Sequence, residues 1–274
     1  MTAITVRNLR DDLSFGATVT GLDWSNVNDE AVRKQIRDLF VERGMIVFRD
    51  MEPSAKMQVA VSTIFGPLKD HPTTSTPRDE ETGDEAKGVI DMFHAGTDDP
   101  NFVEGIVERG GKRLARFAPW HFDHCYNDEL NYAGVLRSPV NSPAGEGGRT
   151  GFMDGIEVYR KMRPDLLEKM EGINVIYTLD TRLSKAKYAV DYKALGEPRT
   201  TAALLKEVAI FPRAMHPAVW TRETGEKVVH AAPWMAVGLE HHEDEAGDAL
   251  FDEVCKELNR LGEGPCAYWH QWEP

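Results

Sequence analysis

The segment Ala118-Pro119-Trp120-His121-Phe122-Asp123 places an imidazole and a carboxylate two residues apart, beside two bulky aromatic rings. On one β-strand, residues i and i+2 point to the same face, which would let His121 and Asp123 reach one metal ion. A second imidazole from elsewhere would complete the facial triad that holds non-haem iron. The residues alone leave an alternative, in which His121 is a core histidine hydrogen-bonded to a neighbour.

A second His-x-Asp pair, His242-Glu243-Asp244, has a different context. It lies in an acidic run at the predicted start of a helix over about residues 243–261, whose first turn favours acidic side chains. Side chains two residues apart point in different directions on a helix. We therefore interpret this pair as solvated surface and keep His121 and Asp123 as the candidate metal pair.

Composition limits the classes of partner. The net charge of −13 over 274 residues argues against nucleic acid, because phosphate binding needs a basic surface. No stretch approaches the roughly 20 apolar residues of a membrane helix, and the N-terminus lacks a signal-peptide core. The three cysteines have no C-x-x-C spacing, which fits a reducing cytoplasm. We expect a cytoplasmic protein that binds neither membranes nor nucleic acid.

Local patterns predict many short strands and a few helices. Strands are predicted at about 15–21, 45–48, 132–136, 175–177, 208–211, 218–220, 228–229 and 266–269, and helices at about 29–44, 55–65, 152–170 and 243–261. From about 72 to 118 the pattern dissolves, which indicates a long active-site loop or, over 73–87, a disordered insertion. This order favours a mainly β barrel or jelly roll with flanking helices.

Several segments resemble one known family. Trp120-His121-Phe122-Asp123 resembles the W-H-x-D motif of the TauD/TfdA family of Fe(II)- and 2-oxoglutarate-dependent dioxygenases. Segments 15–23, 44–50 and 65–67 are similar to its opening strands and the turn before its substrate loop, and 147–152 and 216–225 to its G-G-x-T segment and H-P-x-V hairpin. The resemblance implies a double-stranded β-helix (jelly-roll, cupin-like) core in a single oxygenase domain, residues 1–274.

The resemblance also implies roles for individual residues. His121 and Asp123 correspond to the first two iron ligands, and Thr150 to the threonine that binds the 2-oxoglutarate carboxylate. His71 corresponds to a histidine that binds the substrate anion in taurine dioxygenases. His216 is a candidate third ligand by residue type, but the resemblance places it at a histidine of a structural hairpin.

Other histidines depart from the family pattern. His230 lies where relatives carry an aromatic residue, so it either reshapes the substrate pocket or simply packs. His94 and His124 match no family role and are interpreted as structural or surface residues. The last residues, 267–274, resemble the strand that precedes the third iron ligand of the family. We therefore expect that histidine, and an arginine for the distal 2-oxoglutarate carboxylate, beyond Pro274, with the C-terminal part of the domain missing from this sequence.

The implied activity is hydroxylation of a small anionic substrate, such as an aryloxyalkanoate or a sulfonate, with Fe(II), 2-oxoglutarate and O₂. The C–O or C–S bond would break where the hydroxylated carbon bears one. Lys69, Arg113 and Arg116 are candidates to attract the anion, and the alternative for each is a solvated surface charge. The family resemblance implies a homo-oligomer. Two alternatives remain: a metal-dependent hydrolase with His and Asp ligands, and a catalytically inactive jelly-roll binding protein.

Overall fold

The computed structural model describes residues 3–74, 76, 89–90, 105–139, 147–198, 202–264 and 266–272. The chain forms two compact units. The first contains residues 1–94, 131–150 and 271–274, and the second contains residues 95–130 and 151–270. Across the described residues there are thirteen strands and six α-helices, which confirms the prediction of a mainly β chain with helices. The prediction of a single domain stays a prediction.

The first unit is a small sheet covered by two helices. Strand β2 (Ala17–Thr20) pairs antiparallel with β1 (Thr5–Asn8) and parallel with β3 (Ile46–Phe48). The helices are α1 (Glu30–Arg43) and α2 (Ala55–Ser62). The apolar faces of these helices pack with the loop before α1 and the turn after α2. The buried residues of this core are Leu22, Val27, Ile36, Met57, Val61 and Ile64.

Helix α1 begins and ends where its sequence predicts. The Asp29 side chain accepts hydrogen bonds from the backbone N–H groups of Ala31 and Val32, which have no partner within the helix. Gly44 ends the helix with a left-handed backbone, φ +70°, and donates its N–H to the Phe40 carbonyl.

The remaining elements belong mainly to the second unit. The strands are β4 (Ile106–Arg109), β5 (Lys112–Leu114), β6 (Arg149–Met153), β7 (Asn174–Tyr177), β8 (Lys193–Gly196), β9 (Ala214–Pro217), β10 (Val219–Thr221), β11 (Lys227–Val229), β12 (Ala236–Leu239) and β13 (Ala267–Gln271). The helices are α3 (Gly155–Lys161), α4 (Pro164–Met170), α5 (Ala202–Val208) and α6 (Glu245–Gly262), with a short 3-10 helix at Leu183–Lys185. The strands form the antiparallel sheets β12-β7-β9 and β5-β4-β8 and the pairs β10-β11 and β13-β6.

Helix α6 supplies one wall of the second core. Its buried residues Phe251, Val254, Leu258 and Leu261 recur three and four positions apart, so they form one apolar face. Burying each such side chain contributes about 1.5–3 kcal/mol. The Asp244 side chain caps the helix by accepting from the Gly247 N–H at 2.8 Å.

Two predicted strands and part of the predicted loop are wrong. Residues 132–136 form no strand, and Val208 ends helix α5. Within the loop predicted at 72–118, β4 and β5 form a hairpin whose Gly110 and Gly111 have φ +57° and +73°. Two adjacent left-handed residues make a tight hairpin turn, so this Gly-Gly pair connects strands. Residues 75, 77–88 and 91–104 of that loop, including His94, lie outside the described residues.

None of the helices in the described part of the chain is long and apolar enough to cross a membrane.

The indole of Trp120 lies against two glycines of the second unit. A β-carbon built on Gly262, at the end of α6, would come within 2.6 Å of this ring, and one on Gly151, in β6, within 2.6 Å as well. The Trp269 ring completes the contact, with its centroid 5.5 Å from that of Trp120. At positions 151 and 262, therefore, only glycine leaves space for the Trp120 indole.

Gly262→Ala should lower the free energy of unfolding by about 1–3 kcal/mol, because the indole must shift in a packed core. Chemical denaturation measures this. The matched control is Gly196→Ala, whose β-carbon would meet Ile106 at an ordinary 3.5 Å and should change the stability by less than about 1 kcal/mol. Equal stability of the two variants would show that the indole is not held between the glycines.

Candidate active site

The His121–Asp123 pair lies on irregular backbone. Residues 119–122 have no regular secondary structure and a turn begins at Asp123, so the predicted strand setting is wrong. The chain turns at His124, which has a left-handed backbone with φ +62°. Apolar and polar side chains of the motif nevertheless point in opposite directions. Phe122 packs into the core against Tyr177, with ring centroids 5.3 Å apart, while His121 and Asp123 stay partly exposed.

The two polar side chains of the motif come together. His121 Nε2 lies 3.4 Å from Asp123 Oδ1, and His121 Nδ1 lies 2.8 Å from the Pro119 carbonyl oxygen. Since a carbonyl only accepts, Nδ1 carries the proton in this hydrogen bond, and in the neutral ring Nε2 keeps the lone pair that a metal would bind. The side chains are 29% and 58% exposed, so a cation can reach both from solvent. This fixed tautomer is the one that a metal-binding histidine needs.

The surroundings of His121 favour positive charge. Burial is the largest single influence and lowers its pKa, but the hydrogen bond and charge of Asp123 and the Pro119 carbonyl together outweigh it, so the pKa is raised above the usual 6.5. The negative charge of Asp123 that favours the protonated His121 would also attract a divalent cation beside the pair. The Trp234 ring packs nearly perpendicular to the His121 ring, with centroids 4.8 Å apart, and restrains the imidazole.

No group of three His, Cys, Asp or Glu side chains suited to a metal ion exists among the described residues. His216 is buried in β9 against the Phe122 and Tyr177 rings, with centroids 5.9 and 6.0 Å away. His270 is buried in β13, its Nδ1 3.3 Å from the Tyr268 hydroxyl. The third ligand expected beyond Pro274 stays a prediction.

Thr150 and His71 belong to the first unit. The Thr150 hydroxyl accepts a hydrogen bond from Trp272 Nε1 at 2.9 Å. His71 Nδ1 accepts from the Thr73 N–H at 3.2 Å and lies 2.7 Å from the Thr73 hydroxyl. The Thr150 partner, Trp272, was not singled out by the sequence, since only the folded chain brings the two residues together.

The second His-x-Asp pair has the surface setting that the sequence predicts. His242 and Asp244 are exposed, and Asp244 is occupied as the cap of α6. The cysteines are buried and unpaired, and burial raises the pKa of the Cys125 thiol to about 12. A thiol with so high a pKa does not supply a thiolate ligand near neutral pH.

Comparison with known proteins identifies the family. The model of the taurine catabolism dioxygenase TauD, TfdA family matches residues 5–274. The chain belongs to this family. It is 25% identical over 275 residues to an (S)-phenoxypropionate/alpha-ketoglutarate-dioxygenase of Sphingobium herbicidovorans, covering 96% of this chain and 82% of that protein.

Solved structures share the fold. AAD-2 in complex with Mn(II) and N-oxalylglycine superposes with a TM-score of 0.61 at 18% identity, over 99% of this chain and 85% of that one. A taurine dioxygenase from Burkholderia xenovorans gives 0.60 at 18% identity, over 98% and 78%. The family assignment confirms the predicted enzyme class: an oxygenase that uses Fe(II), 2-oxoglutarate and O₂ on a small organic substrate.

Asp123→Asn and His121→Ala should each weaken metal binding at least about 100-fold, because loss of a ligand exceeds the 10–100-fold cost of losing its supporting partner. Calorimetric titration with Mn(II) measures this. Asp244→Asn and His242→Ala provide matched controls from the second His-x-Asp pair and should bind Mn(II) like the wild type. Equal weakening in both sets would show that neither pair binds the metal specifically.

Proposed function

We propose that this dioxygenase oxidises a small organic acid of the aryloxyalkanoate type, with His121 and Asp123 as two of the protein ligands of Fe(II). The observation that supports the ligand pair is that His121 Nε2 and the Asp123 carboxylate oxygen Oδ1 lie 3.4 Å apart. An imidazole nitrogen and a carboxylate oxygen are the donors that suit non-haem Fe(II). The residues present therefore fit the metal.

Fe(II), when bound, supplies the one-electron and O₂ chemistry that couples decarboxylation of 2-oxoglutarate to substrate oxidation. The protein contributes binding and orientation. Pro119 fixes the tautomer of His121, and the Asp123 carboxylate offsets the charge of the cation. Trp234 packs against the imidazole and limits its rotation.

Thr150 is proposed to bind a carboxylate of 2-oxoglutarate. Its oxygen already accepts the Trp272 indole N–H at 2.9 Å, so its own hydroxyl hydrogen is free to donate elsewhere. A carboxylate only accepts, so it is the partner that this orientation favours. Trp272 thus positions the Thr150 hydroxyl.

The substrate class is proposed from the relatives and from His71. The Sphingobium relative is named for (S)-phenoxypropionate, an aryloxyalkanoate. The Nδ1 of His71 accepts the backbone N–H of Thr73, so in the neutral ring Nε2 carries the proton, and this N–H is proposed to donate to the substrate anion. We further propose a double-stranded β-helix core, a cytoplasmic location and a homo-oligomer.

The protein expressed from its whole reading frame should consume O₂ and form succinate when Fe(II), 2-oxoglutarate and an aryloxyalkanoate are all present. The acids to be tested are (R)- and (S)-2-phenoxypropionate, 2,4-dichlorophenoxyacetate and taurine. O₂ consumption is measured with an oxygen electrode, and succinate with a separate assay. His121→Ala should abolish the coupled reaction, and His242→Ala should retain it. Absence of phenol release from every aryloxyalkanoate, with turnover of taurine, would contradict the substrate class.

Thr150→Val should raise the KM for 2-oxoglutarate about 10-fold or more, since it removes a hydrogen bond to a charged group. The KM for the organic substrate should stay within about 2-fold. Thr150→Ser keeps the hydroxyl and should restore most of the affinity. Steady-state kinetics with each acid varied in turn measure both values, and an unchanged KM for 2-oxoglutarate in Thr150→Val would remove Thr150 from the site.

A further inference from the structure

Asp123 lies between two side chains that are packed in the same core. Phe122, one residue earlier, enters an aromatic cluster of the second unit and packs against the core there. The other rings of this cluster, with centroids 5.3, 5.9 and 3.9 Å from that of Phe122, are Tyr177, His216 and His230. Cys125, two residues after Asp123, is buried in that core as well. Asp123 itself stays partly exposed, beside His121.

An extended chain could not place these side chains in this way. Side chains alternate between the two faces of a strand, so residue 125 would share a face with Asp123. Both would then point away from the core that holds Phe122. The chain must therefore turn between Phe122 and Cys125, and the direction of the Asp123 carboxylate depends on how it turns.

His124 makes this turn. Its φ of +62° lies in the left-handed region, and its carbonyl accepts the Asn127 N–H at 2.9 Å, which closes a turn over residues 124–127. The left-handed region is unfavourable for any residue with a β-carbon, although histidine adopts it more often than most. Such conformations persist where the surrounding structure holds them, and they concentrate at functional sites.

The residues that follow hold the His124 side chain. His124 Nδ1 lies 3.2 Å from Asn127 Nδ2, and the imidazole contacts the Tyr126 ring with centroids 5.7 Å apart. Tyr126 is buried in the same core as Cys125. The turn is therefore fixed to the core on the C-terminal side of Asp123, as Phe122 fixes it on the N-terminal side.

A second histidine shares this backbone without a metal pair beside it. His241 has φ +63° and lies between β12 and α6, with its side chain 86% exposed. A left-handed histidine therefore marks no site by itself. What distinguishes His124 is its place directly after Asp123, between two buried side chains.

We propose that His124 is a positioning residue for the metal pair, and that its left-handed backbone directs the Asp123 carboxylate toward His121. The role of this pair in metal binding rests on the proposed function. Because Phe122 and Cys125 are both held in the core, a change of φ at His124 must move the residue between them. The 3.4 Å separation of His121 Nε2 and Asp123 Oδ1 would then increase.

His124→Val tests the proposal, because a β-branched side chain disfavours positive φ. In the protein expressed from its whole reading frame, the dissociation constant for Mn(II) should rise about 10- to 100-fold, the usual cost of losing a group that orients a metal ligand. His124→Asn should stay within about 3-fold of the wild type, since asparagine tolerates the left-handed backbone. Calorimetric titration measures these constants.

His241→Val is the matched control, because it places the same strain on a histidine away from the pair. Both valine variants should lower the midpoint of thermal unfolding by about 2–4 °C, but only His124→Val should weaken Mn(II) binding. If His124→Val does not fold, His124→Ala replaces it and should weaken binding at least about 3-fold.

Three results would overturn the proposal. The first is an unchanged Mn(II) affinity in the folded valine or alanine variant of His124. The second is an equal loss in His124→Asn, which would assign the effect to the imidazole and not to the backbone. The third is an equal loss in His241→Val, which would assign it to lowered stability.

A measurement without metal separates this proposal from the proposed function. If the wild type does not bind Mn(II), or Asp123→Asn binds it equally well, the pair is no metal site and the proposed function fails. Crystal structures of the metal-free wild type, His124→Val and His124→Asn still decide the positioning. The distance from His121 Nε2 to Asp123 Oδ1 should exceed about 4 Å, the limit of an ion pair, in His124→Val alone. An unchanged distance in that variant overturns the proposal.

Discussion

The contact between the Trp120 indole and the two glycines Gly151 and Gly262 is the constraint on which the site depends. The ring fits only because neither glycine carries a β-carbon, which would come within 2.6 Å of it. No ladder of backbone hydrogen bonds holds residues 119–122, so side-chain packing fixes this backbone instead. The next residue is His121, whose position therefore follows from that of the indole.

Beyond Trp120, the apolar and polar side chains of the motif His121-Phe122-Asp123 point in opposite directions. Phe122 enters the aromatic cluster, while His121 and Asp123 stay partly exposed and meet at 3.4 Å. The Pro119 carbonyl, two residues away, orients the imidazole, and the Trp234 ring packed against it limits its rotation. A short irregular segment thus holds two candidate ligands side by side, because its apolar side chains Trp120 and Phe122 are packed against the core.

The sequence predicts most reliably where the determining interaction is local. The caps Asp29, Gly44 and Asp244 interact within their own helices, and α1 and α6 lie where these residues indicate. The backbone of His121 could not be inferred in this way, since strand geometry depends on a partner strand that this segment lacks. The β4–β5 hairpin lies where the sequence pattern predicts a loop, because adjacent glycines such as Gly110-Gly111 occur in loops and in tight hairpin turns alike. The pairing of Thr150 with Trp272 joins residues 122 positions apart, which no local pattern contains.

The aromatic cluster combines two opposing requirements. Stability alone favours an apolar ring at position 230, because an imidazole nitrogen without a partner lowers the stability of the folded chain. The Phe122 and Trp220 rings instead stack on His230, whose Nδ1 is buried without a hydrogen-bond partner. Departures from local stability of this kind concentrate at functional sites, where a ligand later supplies the missing contact.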